Sequence, residues 1–159
     1  MADIKGKYGS IQTLTCTLTS LANAAARETN TVDNSSDLFL DVLAMVKVKF
    51  ANTAVGSDRR VYIYAWGIID ASSPEYPDAV TGSDATITLD SPTQLNLVGR
   101  IEAAQNVTRK SEPFSIAQAF GGILPVKWGL VILNMSNIAL TGTGSDHTVK
   151  YHGILSQSP

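Results

Sequence analysis

The sequence predicts an all-β protein: an antiparallel β-sandwich or jelly roll of about seven or eight strands with at most one or two short helical turns. Three observations predict it. Two alternating runs, Leu40–Phe50 and Val61–Ile69, flank a polar segment rich in Asn, Gly, Ser and Asp. Alternation at period 2 marks strands with one buried face, and the pair reads as an antiparallel hairpin. A third run, Trp128–Asn134, is almost continuously apolar, as in a strand buried on both faces.

The chain has 159 residues, the length of one domain. A chain of this size buries roughly 68–70% of its unfolded surface and needs no covalent staples. The expected organisation is an N-terminal arm over residues 1–10, a single sandwich over 11–155 and a short tail over 156–159. Residues 1–10 are polar, contain Gly6 and Gly9, and show no periodicity. From Ile11 to Thr19, Leu14, Cys16 and Leu18 alternate with threonines, whose branched Cβ suits an open strand face. Leu21–Ser36 reads as a long connection with one possible helical turn, its alanine run too short to stand alone.

In the central pair, Leu40, Val42, Ala44, Val46, Val48 and Phe50 share one face, as do Val61, Ile63, Ala65, Gly67 and Ile69. These are the expected core faces. The opposite faces carry Leu43, Met45, Tyr62, Tyr64 and Trp66, too apolar for open solvent as one patch. Either other segments or a neighbouring subunit must cover them. Residues 70–84 contain Pro74, Pro77 and Gly82 and read as an irregular loop. Short strands follow at Ala85–Leu89 and Leu95–Ile101. Ser115 and Gln118 match a capping box, and Gly121-Gly122 a stop, so Ile116–Phe120 reads as a short helix, with a strand as the competing reading. Ile138–Leu140 and Thr148–Leu155 complete the set.

Composition narrows function. The net charge is −2 and charged residues make up 16%, which is not the clustered basic profile of a nucleic-acid binder. No stretch reaches the apolar length of a membrane helix, and the first residues do not read as a secretory leader. The single Cys16 leaves no internal disulfide and no cysteine zinc site; it reads as a small buried side chain. His147 and His152, five apart on one strand, point to opposite faces. No nucleophile elbow, metalloprotease, phosphate-loop or zinc spacing is present. The expectation is therefore no enzyme, no cofactor and no metal. Asp70, Glu75 and Asp78 could be weighed as calcium ligands, but EF-hand spacing is absent; they read as solvated loop acids, as do Asp33, Asp37 and Asp41.

The aromatic row Tyr62, Tyr64 and Trp66 has three readings: a second packed layer in the same domain, a protein interface, or a sugar-stacking platform. Arg59 and Arg60 read as a solvated tip or a subunit salt bridge. Candidate interface residues are thus Ile4, Lys5 and Tyr8 in the arm, with Arg59, Arg60, Tyr62, Tyr64 and Trp66.

The segment Ala24–Asn34 followed by Leu38–Val42 resembles a pattern in tailed-bacteriophage virion proteins. So do Pro113-Phe114-Ser115, Phe120–Gly129, Asn134 and Tyr151-His152-Gly153. Together these cover most of the chain, and none is a catalytic motif. The resemblance implies a jelly-roll-like capsid cement or decoration protein in the virion, assembled in the host cytoplasm. Its partners would be the major capsid protein and copies of itself, commonly as a homotrimer, without nucleic acid or membrane. A tail or neck component and a carbohydrate-binding module are the alternatives.

Overall fold

In the computed structural model, which describes residues 5–54, 59–91 and 93–157, two antiparallel sheets pack face to face. In chain order the elements are β1 (Lys5–Leu14), β2 (Ala26–Glu28), β3 (Val32–Asp33), α1 (Asn34–Asp37), β4 (Asp41–Lys49), β5 (Arg60–Ile68), β6 (Thr86–Ile87), β7 (Asn96–Glu102), β8 (Thr108–Lys110), β9 (Phe114–Ser115), α2 (Ile116–Ala119), β10 (Lys127–Met135), a 3-10 turn (Gly144–Asp146) and β11 (Thr148–Gln157). The front sheet has the order β1-β11-β4-β8, with β9 also on β4. The back sheet has the order β6-β2-β10-β5-β7, with β3 also on β10. The all-β sandwich expected from the alternation is the fold observed.

The expected hairpin is not one. β4 pairs with β11, β8 and β9 in the front sheet, whereas β5 pairs with β10 and β7 in the back sheet. The connection between them is longer than the two to five residues usual in hairpins, and it crosses from one sheet to the other. Phe50 bridges to Leu140 on the way. The two alternating faces therefore oppose each other across the core. Val42, Val46, Val48, Val61, Ile63 and Ala65 are all fully buried. Leu40 and Ile69, expected in that core, lie just outside the strands at 58% and 91% exposure.

The segment expected as an arm is, from Lys5 onward, the first half of β1. Lys5 pairs with Gln157 and Tyr8 with Ile154, so the expected tail also belongs to a strand through Gln157. No period shows before Ile11 because Gly6–Ser10 are exposed on both sides apart from half-buried Gly9. One extra residue in β1 between Tyr8 and Ile11 forms a bulge. The strand expected at Ile11–Thr19 ends at Leu14. Beyond it, Thr15 and Thr17 give their amides to the side chains of Asn30 and Asp84 instead of a ladder.

The two short helices form where side-chain caps allow. Ser115 Oγ accepts from the Gln118 amide at 3.0 Å, and Gly121 and Gly122 then adopt left-handed φ. α1 lies within the expected connection and is capped by Asp33, which accepts from Ser35 N at 2.9 Å.

β10 is buried on both faces, as its composition predicts, from Trp128 through Ile132. Its inward side chains, Trp128, Leu130 and Ile132, join the core between the sheets. Trp128 meets Tyr151 of the front sheet edge to face, with centroids 5.3 Å apart. Its outward Val131 joins Ala26, Trp66, Val80, Ile87 and Leu95 in a second, smaller core. The roof of that core is the segment between β5 and β7. Trp66 lies flat over Gly129, its cross-strand partner. A Cβ at Gly129 would stand 2.5 Å from the indole Cζ2.

Three carboxylates hold this roof. Glu28, fully buried, accepts from the amides of Thr81 and Gly82 at 3.0 Å and from Thr81 Oγ1 at 2.6 Å. Asp84 accepts from Arg27 Nε at 2.6 Å and from Thr17 N and Oγ1. Asp78 accepts from Asp90 N at 2.8 Å and Thr93 Oγ1 at 2.6 Å. Burial acts to raise the pKa of Asp84. The hydrogen bonds from Arg27 and Thr17 outweigh it and hold the carboxyl below its ordinary value. Asp78 is held low in the same way, burial opposing and Thr93 with backbone amides prevailing.

Two outcomes follow for stability. Gly129→Ala forces Trp66 off β10 and should cost about 1–3 kcal/mol in chemical denaturation, the usual penalty of overpacking. Gly142→Ala, whose Cβ would meet only Ser20 Oγ at 3.5 Å, should cost far less. Asp78 and Asp84 have folded pKa values below their unfolded ones, so their contribution is complete above the unfolded carboxylate pKa of about 4 and is lost as pH falls through the depressed values. In a Trp128→Phe background, acidification should therefore red-shift Trp66 emission before the far-ultraviolet dichroism of the sheets changes. Emission constant until global unfolding would contradict a separately released roof.

Candidate interaction surfaces

The structure divides the candidate interface residues between two sheets. Ile4 lies outside the described residues. Lys5 and Tyr8 belong to β1 in the front sheet, and Arg60, Tyr62, Tyr64 and Trp66 to β5 in the back sheet. They do not form one surface.

On the back sheet the aromatic row splits. Trp66 is 1% exposed beneath the roof, edge to face with Tyr76 at 5.4 Å. This part of the row is a packed layer of the same domain, and it removes Trp66 from any sugar platform. Tyr62 and Tyr64 stay half-buried, with ring centroids 6.5 Å apart and planes tilted by 37°. Burial, then its neighbour Tyr62, pushes the Tyr64 phenol up in pKa. Leu133 pairs with Tyr62, and Met135 with Arg60. The rim is an ion-pair group: Arg60 Nε stands 2.7 Å from Glu102 Oε1, and Arg100 Nε 3.9 Å from the same oxygen. Arg60 is thus engaged across β5 and β7 within the chain. Arg59 is exposed, and its carbonyl accepts from Ala103 N.

On the front sheet the apolar outer residues collect around β1 and β11. Tyr8 is 63% exposed and Ile11 59%. The Tyr8 ring meets that of His152 edge to face at 6.1 Å, and His152 Nδ1 donates to Gly9 O at 3.0 Å. Beside them runs a shallow groove of about 230 Å³ walled by Ile11, Leu43, Met45, Pro113, Lys150 and His152. Phe39 crosses the inner side of the β1–β11 ribbon at Gly153, where any Cβ would overlap its ring. Leu38, 70% exposed, and Leu40 flank it.

The acids expected to be solvated are mostly structural. Asp70 caps its own turn through Ser72 N and Ser73 N. Asp78 ties the roof segment to itself through Asp90 and Thr93, while Glu75 is exposed. Asp41 accepts from Ser115 Oγ at 2.8 Å and Ala117 N at 2.9 Å, which fixes α2 to β4. Glu28, the most buried acid, gave no signal in the sequence, because it sits in the stretch read as a connection. Among the described residues no three His, Cys, Asp or Glu side chains converge as a metal site. His147 is buried, with Nε2 3.0 Å from the Thr141 carbonyl and Nδ1 accepting from Lys49 N at 3.4 Å. The Cys16 thiol faces the Glu28 carbonyl, and burial, reinforced by Asp84, pushes its pKa up, away from thiolate chemistry.

No protein-family model, curated protein or solved structure matches the chain.

The split of the aromatic row is measurable. Trp66→Ala should cost about 3–5 kcal/mol, as for a buried indole. Tyr62→Ser, at a half-exposed rim position, should cost about 1 kcal/mol or less. Equal losses in urea denaturation would mean that Tyr62 is packed as deeply as Trp66.

Proposed function

We propose that this protein is a non-enzymatic virion structural protein that binds and reinforces a capsid shell. The observation that supports this reading is the distribution of apolar surface. Large apolar side chains stand exposed along the terminal ribbon at Tyr8, Ile11, Leu38 and Leu40. Tyr8 and Ile11 lie on the outer side of the ribbon and Leu38 and Leu40 beside Phe39 at its inner side, and they do not converge on a deep pocket. Such patches mark contact surfaces for other proteins. The resemblance to tailed-phage virion proteins supplies the biological setting. The major capsid protein and further copies of this chain are the partners it implies.

This reading places the grip on exposed strands. Removing residues 1–10 would destroy half of β1, so point changes are the cleaner probe. Tyr8→Asp with Ile11→Asp should leave the fold intact, because both side chains are exposed. It should reduce occupancy on capsids at least about tenfold, the effect of losing about 1.4 kcal/mol. Cryo-microscopy of particles from the phage encoding the chain should show it on the head lattice. Density at the tail or neck would move the protein there, and absence from the particle would overturn the reading.

A further inference from the structure

The outer face of the front sheet concentrates positive charge in a chain whose net charge is −2. On β4 the inward residues Val42, Ala44, Val46 and Val48 are buried, so Leu43, Met45, Lys47 and Lys49 face outward. Residues directly opposite each other in a ladder share a face. The register sets Lys110 of β8 beside Lys47, and Lys150 of β11 beside Met45. Lys150 forms part of the wall of the apolar groove, and Lys47 with Lys110 continues the same outer face beyond Met45, Lys49 lying farther along β4.

Little negative charge answers them. Lys49 Nζ stands 3.5 Å from Asp146 Oδ2, and Lys47 Nζ donates to the Ser145 carbonyl at 2.9 Å. Among the described residues no carboxylate pairs with Lys47, Lys110 or Lys150. Asp41, at the far end of the face, is occupied by Ser115 and Ala117. Glu112 is the acid nearest to Lys110 along the chain and is exposed.

The groove is small. Its 230 Å³ falls below the roughly 300–1,000 Å³ of sites that enclose a whole small molecule. It suits one large side chain, the form that anchors take in protein interfaces. We propose that this face docks an acidic segment of a partner protein, which seats one large apolar side chain between Leu43, Met45 and Ile11. Its carboxylates then lie along Lys150, Lys110 and Lys47. The proposal rests on the structural-protein reading above and names the face and the chemistry of the contact.

Charge complementarity selects this occupant. Single-stranded nucleic acid would want open aromatic faces for base stacking, whereas at this groove Tyr151 is buried and the half-buried His152 ring is already met by Tyr8. An acidic peptide with an apolar anchor matches both halves of the face. Its association should accelerate at low salt, as steered encounters do.

The test uses the full chain and synthetic probes. One labelled peptide is rich in Asp and Glu with a central Phe; a second has Ser in place of Phe; a third has Lys in place of the acids. Phosphatidylserine vesicles and a single-stranded oligonucleotide are the competitors. By anisotropy the acidic Phe peptide should bind best, and methyl resonances of Leu43 and Met45 should shift. Combined Lys110→Glu and Lys150→Glu should weaken it by about tenfold or more, while Arg100→Glu on the back sheet should not. Lys110→Gln with Lys150→Gln, checked by thermal melting, gives the same reading should charge reversal unfold the chain. Undiminished binding by the lysine variants, shifts elsewhere, no binding by any peptide, or preference for vesicles or oligonucleotide would overturn the proposal. Capsids decorated equally by wild type and the lysine variants would reject this face and leave the virion role standing. Peptide binding lost in the lysine variants, with no wild-type decoration, would support the face and reject that role.

Discussion

Strand β10 imposes the constraint that organises the molecule. It offers no polar face to water between Trp128 and Ile132, so both of its sides must be covered. The front sheet covers one side. The other requires a second layer, and the segment between β5 and β7 provides it. This is why the back sheet is central to the fold and why Trp66 points away from the main core yet remains dry. Gly129 is the local condition for this arrangement: without a side chain there, the indole settles onto the β10 backbone. The edge-to-face tyrosines, Tyr151 inside and Tyr76 outside, then close each layer.

Covering β10 with an irregular segment creates a second demand, since a loop laid over a core brings backbone amides with it. The chain meets that demand with acids. Glu28 takes the amides of Thr81 and Gly82, Asp78 that of Asp90, and Asp84 joins the roof to Thr17 and Arg27. At the opposite end of β10, fully buried Asn134 does the same with an amide. Its Nδ2 donates to the carbonyls of Leu21 and Ile138, and its Oδ1 accepts from Ser136. A chain with few charges thus places several of its polar side chains where loops meet the sheets.

The sequence made the strands with a dry face legible and their partners illegible. Period-2 alternation located β4 and β5 because each has one dry face. It carries no information about which strand lies beside them, and adjacency suggested a hairpin. Only the length of the intervening segment hinted at a crossing between sheets. The double burial of β10 was legible because a run such as Leu130-Val131-Ile132 has no polar alternative. The first part of β1, Lys5–Ser10, was invisible for the opposite reason: a ribbon exposed on both sides has no hydropathy contrast. The short strands β2, β3, β8 and β9 hold two or three residues each, too few for any period to show. Of the candidate surface, the aromatic row was correctly seen as one face of β5. Its division into buried Trp66 and half-exposed tyrosines depended on a loop about ten residues further along the chain. The groove on the front sheet was unreadable, because its walls come from three separate strands and from Pro113 and meet only through register.

The pairing of Lys5 with Gln157 also fixes how the domain responds to load. The two ends of the described chain sit on neighbouring strands of one ribbon. Tension applied through them acts across the ladder, nearly parallel to its hydrogen bonds. Rungs then open singly, from Lys5 toward Leu14, while the sandwich behind them stays closed. The domain is mechanically soft where its two ends meet.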